Sequence, residues 1–499
     1  MLDGILIMYM LVLVVVGVIS ARQVKGEGAY LVADRKLGVV VLGSTLPATQ
    51  LSAGTAIGTV GYIATYGYFY NWFWIALWAG WLLSMIFVAP RMYEFGRKHD
   101  GMTIPDILGA RFGNALRFIG ALALIGSFLL LFSAEYEGAA TVFNDVFGIN
   151  YTVSVLISAA IIAIYALLGG LFSVARNDTL QMAVFIVGYI AAAAYAMHSV
   201  GGFGGLEARL NHINPQLMAP FGNSMLTGGA LVGMAIGTLV TFIAYPLDAM
   251  KFYAARKRSV LMRAMWIGIG LQAIVAICLA FIGSAGRALY PATASATTTE
   301  MDNVAPFVAL HTMPPVLGGL LMAAVLGAVM AVSSSIVMIV SAAFSRDLLP
   351  FLARRTYSDS TRLKIERTAA AVAVLIGVGL SLRPIGSVGT IVLIVQQFMA
   401  STFAVVLIAA LNWKRASVPG AIVSMVAGFV GVMAWYALGD PFGLEPVYLG
   451  LPLSFIGMVG VSLLPNVKAA PTVIDPPRFP RRARAARQAA AAGAAEAAE

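Results

Sequence analysis

Charge is the scarcest property of this chain. Only 11% of its 499 residues are Asp, Glu, Lys or Arg, against about 25% in a soluble domain. There is one cysteine, Cys278, so an intrachain disulfide and a cysteine metal cluster are both excluded. In its apolar helix it reads as a small buried hydrophobe. The four histidines, His99, His198, His212 and His311, fall at loops or helix ends, where solvation or capping is the expected role. No nucleophile elbow, phosphate-binding glycine loop or metal-ligand cluster is present, so the chain is not expected to be an enzyme or to hold a cofactor.

What is abundant is apolar length. The chain is 60% hydrophobic with a mean hydropathy of +0.88. Apolar segments of the length needed to cross a ~30 Å hydrocarbon core recur from end to end. After a first segment at Met1–Ser20, which lacks a basic flank and a cleavage site and so reads as a retained span, comes the run from Leu37 to Thr65. Further spans are expected at about Tyr70–Tyr93, Asn114–Val146, Tyr151–Leu171, Asp178–Val200, Ser224–Pro246, Val260–Leu289, Ala305–Phe344, Arg367–Leu382, Ile385–Leu411, Val418–Leu438 and Leu444–Leu464. The fold class is therefore an all-α integral membrane protein of about thirteen transmembrane helices. Ala305–Phe344 exceeds one crossing and should begin with an outer loop or short helix near Pro314 and Pro315.

The net charge of +10 points to membrane topology and anionic lipid rather than nucleic acid. Lys and Arg concentrate in loops that alternate onto one side: around Arg22–Lys36, Arg91–Arg117, Lys251–Arg263, Arg346–Arg367 and Lys414–Arg415. The opposite loops, such as Gly201–Asn223 and Gly439–Glu445, are nearly free of them. This bias predicts a multi-pass protein of the inner cell membrane, N-terminus outside and C-terminus cytoplasmic. Residues 466–499, with four prolines and with Arg478, Arg481, Arg482, Arg484 and Arg487, read as a disordered or weakly helical cytoplasmic tail.

One stretch breaks the apolar pattern. Leu46-Pro47-Ala48-Thr49-Gln50-Leu51-Ser52-Ala53-Gly54-Thr55-Ala56-Ile57-Gly58 carries proline, glycines, hydroxyls and an amide where lipid favours leucine. Broken backbone at membrane depth survives only inside protein or against a polar cavity. Its half-helix ends can hold an ion or a polar solute. This identifies a transporter's binding site as the leading expectation.

Several motifs, in order along the chain, then resemble one family. They are Tyr30-Leu31-Val32-Ala33-Asp34-Arg35-Lys36-Leu37-Gly38, Thr103-Ile104-Pro105-Asp106-Ile107-Leu108 with Arg111-Phe112-Gly113, Leu168-Gly169-Gly170-Leu171-Phe172-Ser173 running on to Gln181, Ser345-Arg346-Asp347-Leu348, and Trp413-Lys414-Arg415-Ala416 with Pro419-Gly420-Ala421. Together, over about residues 28–465, they resemble the sodium:solute symporter family. That resemblance implies a LeuT-type fold: two five-helix repeats of inverted topology, each opening with a discontinuous helix. The repeats would be residues 37–200 and 224–411. An extra helix at 1–21 and two helices at 418–465 would lie outside them. The second broken helix would be Ser224–Pro246, loosened by glycines and ended by Tyr245-Pro246.

The resemblance also implies a sodium site. Residue by residue it falls on the carbonyls of Ala48, Leu51 and Ala328, with the two hydroxyl positions on Ala331 and Val332. Neither side chain carries an oxygen, whereas a hard cation wants about six. Two alternatives are open: a displaced cation site using Asp178 with Ser334 and Ser335, or a proton carried by Asp178. Against both stands a plain structural role, with Asp178 capping its helix and the serines packing small. For the solute, Gln50, Ser52, Gly54 and Thr55 in the first break, Tyr245 near the second, and Gln396 and Gln397 are the candidates. Glu135 and Glu137 are costly inside a span. They lie about 200° apart on a helical wheel and cannot share a cavity. Glu135 could bind a cationic group, carry a proton, or pair with a neighbouring helix. Asp248 and Lys251, a turn apart, read as a helix-end pair.

The expected function is import of a small polar organic solute, such as an organic acid or amino acid, by alternating access. Coupling would be to Na+ or H+, and the protein would act as a monomer in the lipid bilayer. An uncoupled facilitator and a solute sensor on the same fold are the alternatives.

Overall fold

The computed structural model describes residues 2–221, 226–290, 302–353, 357–383 and 386–473. In chain order the helices are α1 (Leu2–Ala21), α2 (Glu27–Val32), α3 (Val39–Ala48), α4 (Thr59–Tyr66), α5 (Trp72–Phe87), α6 (Ala89–His99) and α7 (Ile104–Phe112). They continue with α8 (Asn114–Phe147), α9 (Tyr151–Ser199), α10 (Gly202–Ile213), α11 (Gly228–Ile243), α12 (Pro246–Ala254) and α13 (Arg258–Leu289). The rest are α14 (Val304–His311), α15 (Pro315–Ala342), α16 (Leu349–Ala353), α17 (Asp359–Ser381), α18 (Val388–Phe398), α19 (Val405–Asn412), α20 (Val418–Ala437) and α21 (Val447–Leu463).

Among the described residues nine helical segments are long and apolar enough to span a bilayer, and three shorter apolar helices join them. With α17 they make the thirteen segments expected. No lipid-facing strand edge is needed, because each helix satisfies its own backbone. The bundle is organised around α15, in which every residue from Leu321 to Ala342 is buried. It packs against α1, α8, α9 and α17. Exposed apolar side chains such as Val426, Phe429, Phe455 and Ile456 lie on the peripheral pair α20 and α21, as surfaces facing hydrocarbon require.

Two helices are interrupted. In α3, Pro47 sits in the last turn, and the amides of Gln50 and Leu51 both fold back onto its carbonyl at 3.0 and 3.2 Å. The chain re-enters a helix through a wide π turn at Gly54–Gly58 before α4. This turn lies so close to α18 that a Cβ on Gly54 would meet Val392 at 2.6 Å, so glycine is a packing requirement there. The second interruption follows α11. Tyr245 is extended (φ −65°, ψ 118°), and Pro246 opens α12 at a position where its missing N–H costs nothing. The two broken helices are stitched by backbone: Leu37 N donates to Ala254 O and Arg256 N to Leu37 O, each at 3.1 Å.

Several boundaries differ from expectation. The Tyr70–Tyr93 span stops at Phe87, and Pro90 then starts a separate helix. Tyr151–Leu171 and Asp178–Val200 are two helical arms of α9 that meet at a kink at Gly170, whose φ of 51° and ψ of −152° suit glycine alone, so the second arm starts before Asp178. Asp178 therefore lies well inside a helical arm and does not cap one. The expected Arg367–Leu382 span starts eight residues earlier, at Asp359, with Ser358 Oγ accepting from Thr361 N. The loop Gly201–Asn223 contains α10, a helix of 12 residues and too short to cross a bilayer. The short helix expected before Pro314 is α14. The start of the tail is docked rather than loose: Ala470 N donates to Ala416 O at 2.9 Å, and Pro471 O accepts from Arg111 at 2.8 Å. Arg478–Arg487 and Ser224 lie outside the described residues.

Candidate functional site between the broken helices

The two interruptions face one cavity. It is lined by Gln50, Ser52, Gly54 and Thr55 from the first break, by Thr241, Phe242 and Tyr245 from the second, and by Val392, Val395 and Gln396 of α18. Tyr62, Tyr70 and Phe73 close one side, with the rings of Tyr62 and Tyr70 stacked 4.9 Å apart. No lining side chain is charged. The cavity is about 20 Å³, room for a water but not for an organic solute, so this conformation is closed around the site.

Of the expected solute-side residues, Gln50, Ser52, Gly54, Thr55, Tyr245 and Gln396 border this cavity, and Gln397 and Glu135 do not. Gln50 is held firmly: its Nε2 donates to Asp248 Oδ2 at 2.6 Å, and its Oε1 accepts from Gln272 Nε2 at 2.5 Å. Gln396 accepts from Thr238 through its side chain at 2.9 Å and from Thr241 through its backbone at 2.7 Å, which ties α18 to α11 beside the second break. Gln397 turns away and donates to Glu445 at 3.0 Å. Glu135 is fully buried behind the first break, and its Oε2 accepts from Ala53 N at 2.9 Å. It serves as a cap for the re-entering half-helix, where a negative group suits the N-terminal dipole.

The cation side departs from expectation. Ala328, Ala331 and Val332 are all buried on α15, so the face is formed without its hydroxyls. Ser334 turns its hydroxyl onto Ala331 O at 3.0 Å, while the Ser335 hydroxyl is buried with no partner. Asp178 instead accepts from Thr45 Oγ1 and lies 3.6 Å from Lys251 Nζ. Lys251 donates to Thr45 O at 2.7 Å and to Thr49 Oγ1 at 2.6 Å. Asp248 accepts from Gln50 and, at 3.1 Å, from Trp81 Nε1. Asp248 and Lys251 are each 1% exposed. The expected helix-end pair is part of a dry polar cluster that joins α3, α5, α9, α12 and α13. Spacing within one helix could not show this, because its partners are 73 to 206 residues away.

The motifs at the arginine-rich end also meet. Arg117 bridges Asp106 at 2.5 Å and Asp347 at 2.8 Å, Arg346 bridges Asp106 at 2.9 Å and Glu27 at 3.0 Å, and Arg362 reaches Glu27 at 3.2 Å. These pairs draw α2, α7, α8, α17 and the turn after α15 together. Arg111 donates to the carbonyl of Trp413 at 2.8 Å.

This geometry fits the outcome of comparison with known proteins. The model of the sodium:solute symporter family matches residues 30–428. The chain belongs to that family. Among its relatives are the sodium/proline symporter of Escherichia coli (strain K12), 26% identical with 93% of each chain covered, and the sodium/pantothenate symporter of the same organism, 27% identical with 91% and 94% covered. A Na+-coupled sialic acid symporter, solved in a substrate-bound outward-open state, shares the fold with a TM-score of 0.79 at 19% identity, covering 94% of this chain and 99% of that one. Mhp1, a nucleobase-cation-symport-1 family transporter, superposes with a TM-score of 0.57. The protein is thus a secondary active solute importer of LeuT-type fold. It is a multi-pass membrane protein and not an enzyme.

Proposed function

We propose that this protein imports a small polar solute with an apolar body, an amino acid or a monocarboxylate, through the cavity between the broken helices. The carrying observation is the lining. Hydroxyls, amides and the two half-helix ends supply polar recognition, while aromatic rings cover the remainder of the solute. The absence of a charged lining side chain fits a solute whose carboxylate is met by backbone and helix dipole. The named substrates of the relatives, proline and pantothenate, both bear one carboxylate and support this class. The inverted repeats would be residues 37–200 and 224–411, and by the positive-inside bias the arginine network would face the cytoplasm as the inner gate.

Alternating access would open this closed state first to one side and then to the other, driven by a cation, Na+ or H+. The test is counterflow in proteoliposomes loaded with L-proline, pantothenate or a panel of monocarboxylates. Exchange of one class, lost in Gln50→Ala and Tyr245→Ala, is expected. No exchange with any of them would defeat the reading. Imposed sodium and proton gradients then separate the two cations.

A further inference from the structure

The donor set that the family's sodium ion requires is missing here, and a positive charge already occupies its neighbourhood. Thr45 is one helical turn before Ala48, and Thr49 follows it directly. Both hold the ammonium of Lys251, through a carbonyl at 2.7 Å and a hydroxyl at 2.6 Å. Asp178 lies 3.6 Å away from the opposite helix. We propose that Lys251 is a tethered cation that stands in for sodium, fixing the end of α3 to α9 and α12, so that this protein binds solute without a sodium ion at the helix break. The inference rests on the transport reading above.

Three observations converge. First, Ala331 and Val332 give no oxygen, so the carbonyls of Ala48, Leu51 and Ala328 would be left as the only ligands, about half of what a hard cation takes. Second, the C-terminal end of a half-helix such as α3 carries partial negative charge that a cation neutralises. Lys251 delivers that cation from α12, the second half of the other broken helix. Third, the lysine is dry and fully engaged, with Asp178 facing it from α9 and Asp248 from its own helix, while Thr45, Thr49, Trp81 and Gln272 around them are neutral. The oxygens of Thr45 and Thr49 to which an added cation would turn at the end of α3 are thus already engaged by the ammonium. Lysine and sodium are therefore alternatives at this break.

The test uses sodium alone as the probe and needs no identified solute. The full-length protein is purified in detergent, and its melting is followed while choline chloride is replaced by sodium chloride at constant ionic strength. The wild type is expected to show no sodium-specific shift. The triple variant K251A/A331S/V332T, which removes the ammonium and restores both hydroxyls, is expected to gain a saturable sodium-dependent rise of about 2 °C or more. A wild type stabilised by sodium over choline overturns the proposal, and so does a folded triple variant that sodium leaves unchanged. Should the triple variant not fold, the wild-type titration still decides. Counterflow with L-proline or a monocarboxylate, with and without sodium, stands apart from this test. Exchange that needs sodium overturns the tethered cation, whereas no exchange at all strikes only the transport reading.

Discussion

The molecule holds two charge clusters built on opposite principles. At the arginine-rich end, Arg117, Arg346 and Arg362 form paired bridges to Asp106, Asp347 and Glu27, with the arginine side chains 14% to 40% exposed and the carboxylates 10% or less. Beneath the first break, Lys251 and Asp178 are 1% exposed and sit among hydroxyls and amides. Pairs with one partner still hydrated contribute less than full desolvation would demand of them and weaken with salt. They can part and re-form, which suits a gate. A dry pair repays its desolvation only when its geometry is complete, and breaking one partner strands the other charge. The interior cluster is therefore a fixed joint and the rim a releasable one.

The comparison breaks first if the two clusters respond alike to mutation. Lys251→Met strands Asp178 and Asp248 and is expected to cost about 3–5 kcal/mol, seen as a large drop in melting temperature and loss of counterflow. Arg362→Ala is expected to cost no more than about 1 kcal/mol. Similar drops for both would show that burial does not set the difference. Next in size is Glu135. Glu135→Ala removes the acceptor of Ala53 N and leaves a buried donor unpaired, at about 1–3 kcal/mol. Glu135→Gln keeps an acceptor there and should retain most of the counterflow. Equal loss in both would mean that the charge, and not the hydrogen bond, is what the site uses.

How far these joints could be read in advance depended on sequence distance. The break at Pro47–Gly58 was legible because proline, glycine and hydroxyls inside an apolar run violate a local rule. The thirteen spans followed from apolar length, and the missing hydroxyls at Ala331 and Val332 from motif register. Lys251 was not legible: Asp248 one turn before it offered a local partner, and nothing local reveals that α12 turns that face inward to α3 and α9. Asp178 was misplaced for a related reason. Gly169-Gly170 and the polar Arg176-Asn177-Asp178 suggested a loop, yet only Gly170 leaves helical geometry. The rim network was half visible, since Asp106, Arg346 and Asp347 lie in the recognised motifs but Glu27, Arg117 and Arg362 do not, and the pairing crosses up to 335 residues of chain.

At the rim, Asp106 joins the most partners. Its side chain receives Arg117 and Arg346 and also the amides of Met102 and Thr103, at 2.9 and 3.2 Å. Asp106→Asn keeps acceptor capacity for the capping box but loses charge against two arginines. The closed state is expected to give way to one open at this end, with a several-fold rise in labelling of a cysteine placed at Ala249, beside Pro105 and Ile339. High salt on the wild type should act in the same direction, more weakly. The interior joint should ignore salt, and a salt effect on a Lys251 readout of equal size would erase the distinction.

The smallest expected effect is at the opposite end, where Glu445 in the loop before α21 accepts from Gln397. Burial, reinforced by Asp440, pushes its carboxyl up to about 7, with the Gln397 hydrogen bond pulling the other way. A carboxyl raised on folding stabilises the folded state most fully when protonated in both states, below its ordinary value near 4.5, and that contribution fades as pH rises through about 7. Melting temperature should therefore decline modestly between about pH 5 and pH 8. Glu445→Gln, which is neutral throughout and can still accept from Gln397, should flatten that decline without altering sodium dependence. A slope unchanged in the variant would assign the pH response to another group. A sodium response that moved with it would mean that this loop and the interior joint are coupled, against the separation drawn between fixed and releasable charge.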